Sequence, residues 1–484
     1  MSFLKRGTLK RPGTWWALSS TRARFTALGA AGLVLGLLTT SVIVWNSPAN
    51  PIAQAAASIS RADVANAKIV AERNSLLSQV IALQKRLNGS AGNLSATRAQ
   101  LASIQQQLYS AQGALDSAAA AKATTAAKAT TAAKAKPITR TRSTSTESTV
   151  TAPSKAEIIN PSSRYFGMFT EQAPFSFSSF DATAKKIGSQ PNAVGYFGGW
   201  DQTFRADVVS ASWKRNTLPI LTWESRPINA ANDTVVESDY SLPKIIGNPA
   251  AEVPGNFDTY LHQYAKDIVA SGLPLGIRLD HEMNSNWYAW SEDDGRGGAI
   301  NGNRPGDYVK MWRHVHDIFQ EEGANSLVAW IWAPNIINNL PASHKAPGYL
   351  DSLYPGASYV DVVGLSGYLR PPYKPGNNFS FDYTFTPSLK ELRRITDKPI
   401  LLAEIGASET DGHKVAWINS LFQALARPEN QDIIGFSWFN LAVTSYIEGE
   451  RATNDWRIDS RPDSTAAFAA GLALPGGRFT LSPN

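Results

Sequence analysis

From residue 164 onward, eight short apolar runs recur, separated by stretches of helical periodicity. The runs lie at 165–170, 193–200, 218–224, 273–282, 327–335, 360–368, 399–406 and 433–440. Helical patterns fall between most of them, at 180–187, 204–215, 257–270, 307–322, 387–395 and 414–426. The runs are continuously hydrophobic rather than alternating, as parallel strands buried on both faces are. Eight such β/α repeats within residues 161–484 predict an α/β fold, a (β/α)8 TIM barrel. A doubly wound sheet is the alternative, but the chain carries nothing like its glycine-rich phosphate loop.

A barrel of this kind does its chemistry at the C-terminal ends of its strands. Those ends read Trp200-Asp201, Trp223-Glu224, Asp280-His281-Glu282, Trp332-Ala333-Pro334-Asn335, Ser366-Gly367-Tyr368, Glu404 and Trp438-Phe439-Asn440. Carboxylates and aromatic rings therefore gather at one rim. A carboxyl group can give a proton to a leaving oxygen, and flat rings bind the C–H faces of sugars. Glu282 closes the fourth run, with Trp287, Tyr288 and Trp290 just behind it. Glu404 lies in the seventh run, Pro399-Ile400-Leu401-Leu402-Ala403-Glu404, where an unpaired carboxylate would cost several kcal/mol unless it faced a cleft. Strands four and seven face one another across a barrel mouth. Retaining glycosidases need two such carboxyls, one as acid/base and one as nucleophile, roughly 5 Å apart. Glu282 fits the first role and Glu404 the second. Asp280 is expected to point away from the bond being cut, with a part in orienting His281 left open. Trp223-Glu224 reads equally as cleft lining or as a core tryptophan beside a surface acid. Trp332 and Asn335 are candidate cleft residues.

His281-Glu282-Met283-Asn284 with Trp287, and Ala403-Glu404-Ile405-Gly406, resemble the acid/base and nucleophile motifs of glycoside hydrolase family 26. The resemblance covers residues 161–484. It implies a retaining clan-A barrel, most often an endo-β-1,4-mannanase, with some members acting on mixed-linkage β-glucan or β-1,3-xylan. By that resemblance Glu282 is the acid/base and Glu404 the nucleophile. His281 and Trp287 would then line the sites around the cleaved bond, Tyr368 would hydrogen-bond the nucleophile, and Trp438 would stack beneath a sugar. Trp290, read from the residues alone, is a further candidate for contact with sugar. Two positions depart from the mannanase pattern. Asn284-Ser285 stands where those enzymes usually carry Asn-Gly, and Ser366 stands where they often carry an acid.

No metal or cofactor is expected. Cysteine is absent, which excludes disulfides and Cys-ligated zinc. His314 and His316 are two apart on a helical pattern and so face different sides. Glu292-Asp293-Asp294-Gly295 has the look of a calcium loop without its ligand spacing, and reads as a solvated loop.

The formal charge of +6 hides an asymmetry. Residues 1–160 hold 19 Lys/Arg against 5 Asp/Glu, leaving 46−19 = 27 basic and 40−5 = 35 acidic residues, or −8, for the remainder. A mildly acidic barrel argues against nucleic acid as a partner. Residues 1–24 read as a basic cytoplasmic tail, and 25–45 as an uncharged run long enough to span a bilayer as a signal-anchor. Cleavage near Ala53-Gln54-Ala55, giving a secreted protein, is the alternative. Residues 58–118 place Val80, Leu87, Leu94, Leu101, Leu108 and Leu115 seven apart, which predicts a self-associating coiled coil. The glycines at 89 and 92 leave a helical hairpin open. Residues 119–160 are Ala/Lys/Thr/Ser-rich and read as a disordered linker.

Together these features predict a membrane-anchored extracellular endo-β-glycanase, foremost a mannanase, with its barrel in contact with β-linked polysaccharide. A β-1,3-1,4-glucanase or β-1,3-xylanase is the rival within the family. A catalytically silent polysaccharide-binding barrel in wall or capsule assembly is the rival outside it.

Overall fold

Among the residues described by the computed structural model (75, 150–230, 234–447 and 450–482), eight parallel strands close into a barrel in sequence order. They are β1 (Tyr165–Phe169), β2 (Ala193–Gly199), β3 (Leu218–Glu224), β4 (Leu275–Leu279), β5 (Val328–Trp332), β6 (Val362–Leu369), β7 (Ile400–Ala407) and β8 (Ile433–Phe439). Each matches one of the eight apolar runs to within a few residues at its ends. Beyond β8 the chain adds an antiparallel hairpin, β9 (Ala442–Ile447) with β10 (Glu450–Asp455), which the sequence pattern did not predict. The helices in chain order are α1 (Lys155–Ile159), α2 (Ser178–Ile187), α3 (Ala206–Trp213), α4 (Leu242–Ile246), α5 (Asp258–Ser271), α6 (Asp307–Glu321), α7 (Tyr349–Ser352), α8 (Phe381–Ile395), α9 (Lys414–Leu425) and α10 (Pro462–Leu472).

The anchor at 25–45, the coiled coil at 58–118 and most of the linker at 119–160 lie outside the described residues. Among the described residues no helix is long and apolar enough to cross a membrane. The linker boundary is corrected: α1 begins inside it, on a capping box in which Ser154 and Glu157 satisfy each other's backbone N–H groups.

The barrel wall sorts its side chains by size. Trp223 stacks on Tyr264 of α5 at 4.5 Å, Trp330 packs on Trp312 and Phe319 of α6, and Trp438 packs on Trp417 of α9 and Phe468 of α10. These large rings fill the layer between sheet and helices. Thr222 and Ser437, next to Trp223 and Trp438 on strands that alternate faces and so on the opposite face, are small and polar, as is Ser366 of β6, which leaves room inside. At the bottom, the buried Arg164 donates to the carbonyls of Leu425, Asn430, Ile433 and Gly477, tying β1 to α9, β8 and the C-terminal segment.

The helical pattern starting at 387 proved to be the second half of α8. Pro387 lies inside the helix, where it supplies no N–H to the carbonyl of Tyr383. The Asn338 side chain takes that carbonyl instead, donating from Nδ2 at 2.8 Å. A loop residue thus completes the helix. Asn338→Ala should destabilise the protein by about 1 kcal/mol in urea unfolding, and by much less in a Pro387→Ala background, where the helix regains its own donor. Equal losses in both backgrounds would show that the contact does not serve the helix.

Candidate active site

The interior of the barrel is organised around Arg278, a fully buried residue of β4. Its Nη1 donates to Glu404 Oε2 of β7 at 2.5 Å and to Thr222 Oγ1 of β3 at 3.1 Å, and its Nη2 donates to Ser366 Oγ of β6 at 2.5 Å. Tyr368 of β6 donates its hydroxyl to the other oxygen of Glu404 at 2.6 Å. Both oxygens of Glu404 are therefore held as acceptors. The strand that carries it is irregular. Between Leu401 and Glu404, β7 advances three residues while β6 advances two, from Gly364 to Ser366. Against β8 it also advances three, from Leu402 to Ile405, for the two from Phe436 to Trp438. One extra residue against both neighbours is a bulge at the point where Glu404 turns inward.

Glu282 follows β4 in a turn whose backbone is held at positive φ, +40° at Asp280 and +56° at Glu282. The Glu282 N–H donates to Ala333 O beyond β5 at 2.7 Å. Its carboxyl accepts from the indole N–H of Trp287 at 2.9 Å, and the Asn335 amide is a second partner. Burial pushes the Glu282 carboxyl above the usual glutamate range, and the negative charge of Glu404 adds to this. The Arg278 charge and the bonds from Asn335 and Trp287 pull the other way.

His281 is buried beside the acid. Its Nε2 lies 3.1 Å from the hydroxyl of Tyr288, and its Nδ1 faces Glu224 Oε1 at 3.9 Å. Burial, reinforced by Arg278 and Arg226, holds its pKa far below the ordinary histidine value, so the ring is neutral. Glu224 is not a surface acid: it is 4% exposed, ends β3 and pairs with Arg226 Nε at 2.9 Å. Arg226 lies over the stacked rings of Tyr288 and Trp290. Asp280 points away from His281, accepting from the N–H and hydroxyl of Ser225 at 2.7 Å each, and burial raises its pKa to about 7.

The far side of the mouth is aromatic. Phe169, Phe197 and Phe439 from β1, β2 and β8 meet one another. Trp456 packs on Tyr368 at 5.1 Å and on Phe439 at 5.5 Å. It stands on the segment just after β10, and buried Lys414 fixes that segment. The Lys414 Nζ donates to Asp455 O, Arg457 O and Ser460 Oγ at 3.2, 2.6 and 2.9 Å, and pairs with Glu409 at 3.1 Å.

Six of the nine residues singled out from sequence thus meet at one mouth: Glu282, Glu404, His281, Trp287, Tyr368 and Asn335. Three do not. Trp332 and Trp438 are fully buried behind the wall, their indole N–H groups bound to Leu353 O and Trp456 O, and neither offers a face to a sugar. Trp290 is also fully buried. It donates to His281 O at 2.7 Å and backs Tyr288 rather than the cleft. Ser285 turns away too, with its hydroxyl 3.4 Å from that of Ser291 in the loop interior. Arg278, Phe439 and Trp456 were not recognised as site residues. The signal for Arg278 was a lone charge inside an apolar strand.

The described residues contain no group of three or more His, Asp or Glu placed to hold a metal. Glu292 accepts from Tyr308 N, and Asp294 accepts from the N–H groups of Arg296 and Gly298. The acidic loop is thus used for internal hydrogen bonds. His314 and His316 have separate partners, Asp258 and Asn325.

Among curated proteins, the chain is 31% identical over 289 residues to Endoglucanase H of Acetivibrio thermocellus, covering 59% of this chain and 28% of that one. It is 21% identical over 271 residues to a mannan endo-1,4-beta-mannosidase of Bacillus subtilis, covering 51% and 66%. The chain thus spans little more than a quarter of the length of Endoglucanase H. Among solved structures it is similar to the Bacillus subtilis mannanase man26, at 20% identity and a TM-score of 0.41 over 59% of this chain and 83% of that one. It is also similar to the catalytic domain of the Bacillus sp. JAMB-750 endo-beta-1,4-mannanase, at 16% identity and a TM-score of 0.47 over 66% and 88%. Residues 220–418, which run from β3 into α9 and include both Glu282 and Glu404, match glycosyl hydrolase family 26, and together with these relatives that match supports membership of the family.

Proposed function

We propose that the chain is a retaining endo-β-glycanase that hydrolyses β-linked polysaccharide by double displacement. The observation that carries this reading is the pair of unequal carboxyls at one mouth. Glu404 is gripped by a guanidinium and a phenol, whereas Glu282 is buried and raised in pKa, suited to hold a proton. Glu282 gives that proton to the leaving glycosidic oxygen while a Glu404 oxygen attacks the anomeric carbon. Glu282, now a carboxylate, then takes a proton from water as the water oxygen displaces Glu404. Trp456 and Phe439 offer aromatic surface to the sugar held between the two acids.

β-1,4-Mannan is the first substrate expected, because relatives over much of the barrel are mannan endo-1,4-beta-mannosidases. A β-glucan is the second, favoured by the 31% identity to an endoglucanase, above the 21% to the Bacillus subtilis mannosidase. The basic tail at 1–24 and the apolar run at 25–45 support a further reading, in which a membrane anchor and spacer hold the barrel outside the cell, with self-association through the heptads at 58–118.

Release of reducing ends from mannan, lichenan and β-1,3-xylan should identify one polymer as substrate. Glu404→Ala should abolish the activity, and Glu282→Ala should lower kcat by about 10²- to 10⁴-fold. Binding without hydrolysis of any polymer, unchanged by Glu404→Ala, would instead support a silent sugar-binding barrel.

The pH profile follows from the Trp287 hydrogen bond. The acid must be protonated, so kcat/KM should fall as pH rises through the Glu282 titration. The indole N–H favours the charged form, so removing it raises the pKa of the acid. Trp287→Phe should therefore move the alkaline limb of kcat/KM to higher pH. A limb that stays in place or moves to lower pH would mean that Glu282 is not the group titrating there.

A further inference from the structure

The backbone that presents Glu282 is strained. A non-glycine residue in the left-handed region is disfavoured and persists only where its surroundings over-determine it. Several hydrogen bonds do so. Glu282 N–H reaches Ala333 O, and Ser285 N–H closes the turn on Glu282 O at 2.9 Å. The Asn284 side chain pairs with the backbone of Asn335 in both senses: its Oδ1 accepts from the Asn335 N–H at 2.8 Å, and its Nδ2 donates to the Asn335 carbonyl at 2.9 Å. That pairing places the Asn335 amide against Glu282.

The remaining restraint is His344, between β5 and α7. Its side chain is fully buried, with Nδ1 2.9 Å from the carbonyl oxygen of Asn284 and Nε2 2.7 Å from Asp293 Oδ1. The ring stacks on Tyr349 at 4.2 Å, and the Tyr349 hydroxyl donates to Asp293 Oδ2 at 3.4 Å. A backbone carbonyl and a carboxylate are both acceptors. Both bonds form only when ring and carboxyl together hold one proton more than a neutral imidazole beside a carboxylate. Neither residue reaches the mouth.

We propose that Asp293 and His344 form a positioning dyad for Glu282: by gripping the Asn284 carbonyl they fix the strained turn and, through the Asn284–Asn335 pairing, the amide beside the acid. This inference rests on Glu282 being the acid/base.

The test compares substrates that need the acid with substrates that do not. Cleaving polysaccharide requires protonation of a poor leaving group. A 2,4-dinitrophenyl glycoside loses its phenolate without a proton, and azide then forms the bond to the anomeric carbon as the bond to Glu404 breaks, with no base required. The full-length protein would carry His344→Phe, which keeps the stack on Tyr349 and removes both hydrogen bonds. On polysaccharide kcat should fall about 10- to 100-fold, the size expected of a misplaced catalytic group, with KM changed less than about threefold. On 2,4-dinitrophenyl β-mannobioside or β-cellobioside with azide, activity should stay within about threefold of the parent protein, as for Glu282→Ala. Asp293→Asn should behave like the parent protein, because the amide donates to Nε2 while a neutral ring still donates to Asn284. If His344→Phe fails to fold, Asp293→Ala removes one bond from the more accessible end and should show the same substrate dependence at smaller size. Equal losses on both kinds of substrate, or an Asp293→Asn variant as impaired as His344→Phe, would overturn the dyad. A Glu282→Ala variant without leaving-group dependence would instead overturn the acid/base reading, and the dyad with it.

Discussion

A single buried guanidinium connects this fold to its chemistry. Arg278 stands inside the barrel on β4 and reaches β3, β6 and β7 through Thr222, Ser366 and Glu404. A charge in that position is strongly destabilising without partners, and losing one partner of a buried pair costs about 3–5 kcal/mol. Its hydrogen bonds therefore aim Glu404 at the mouth and also tie non-adjacent strands together across the interior. The same charge helps keep His281 neutral and moderates the rise in the Glu282 pKa. One central residue thus acts on two neighbours, adding to the effect of burial at His281 and opposing it at Glu282.

The wall around Arg278 explains how much could be read in advance. Eight apolar runs sufficed for the barrel, because strands covered on both faces are hydrophobic throughout. That continuity also hides which face each residue takes. Trp332 and Trp438 lie at strand ends as the sites of barrel enzymes do, yet both point into the helix layer, while the interior positions beside them hold small residues. Rings of this size inside the barrel would fill the space that the cleft occupies. The residues facing the mouth from β8 and beyond are Phe439 and Trp456, and Trp456 comes from a segment with no strand or helix pattern to place it.

Glu282, Glu404, Tyr368 and Trp287 were legible because short motifs fix acid and partner together. The supporting residues were not, since their signals are single letters far apart in the chain. The acidic triplet at 292–294 read as a solvated loop, whereas the fold uses Asp293 for a histidine 51 residues away. The proline at 387 suggested a helix start, whereas Asn338 supplies the missing donor and lets the helix begin at Phe381. In both places a side chain remote in sequence reverses what the local pattern implies.

The Lys414 clamp has a consequence for how this architecture can vary. It grips the chain on both sides of Trp456, directly after the β9–β10 hairpin has returned. The other end of the hairpin is rooted by Asn440, whose N–H donates to Phe169 O and whose Oδ1 accepts from Ile458 N–H. The excursion between these roots is mechanically isolated from the ring it precedes. Insertions or deletions in the hairpin can therefore be absorbed while Trp456 keeps its place on Tyr368. The length of that one excursion is thus free to drift, with the two acids left undisturbed.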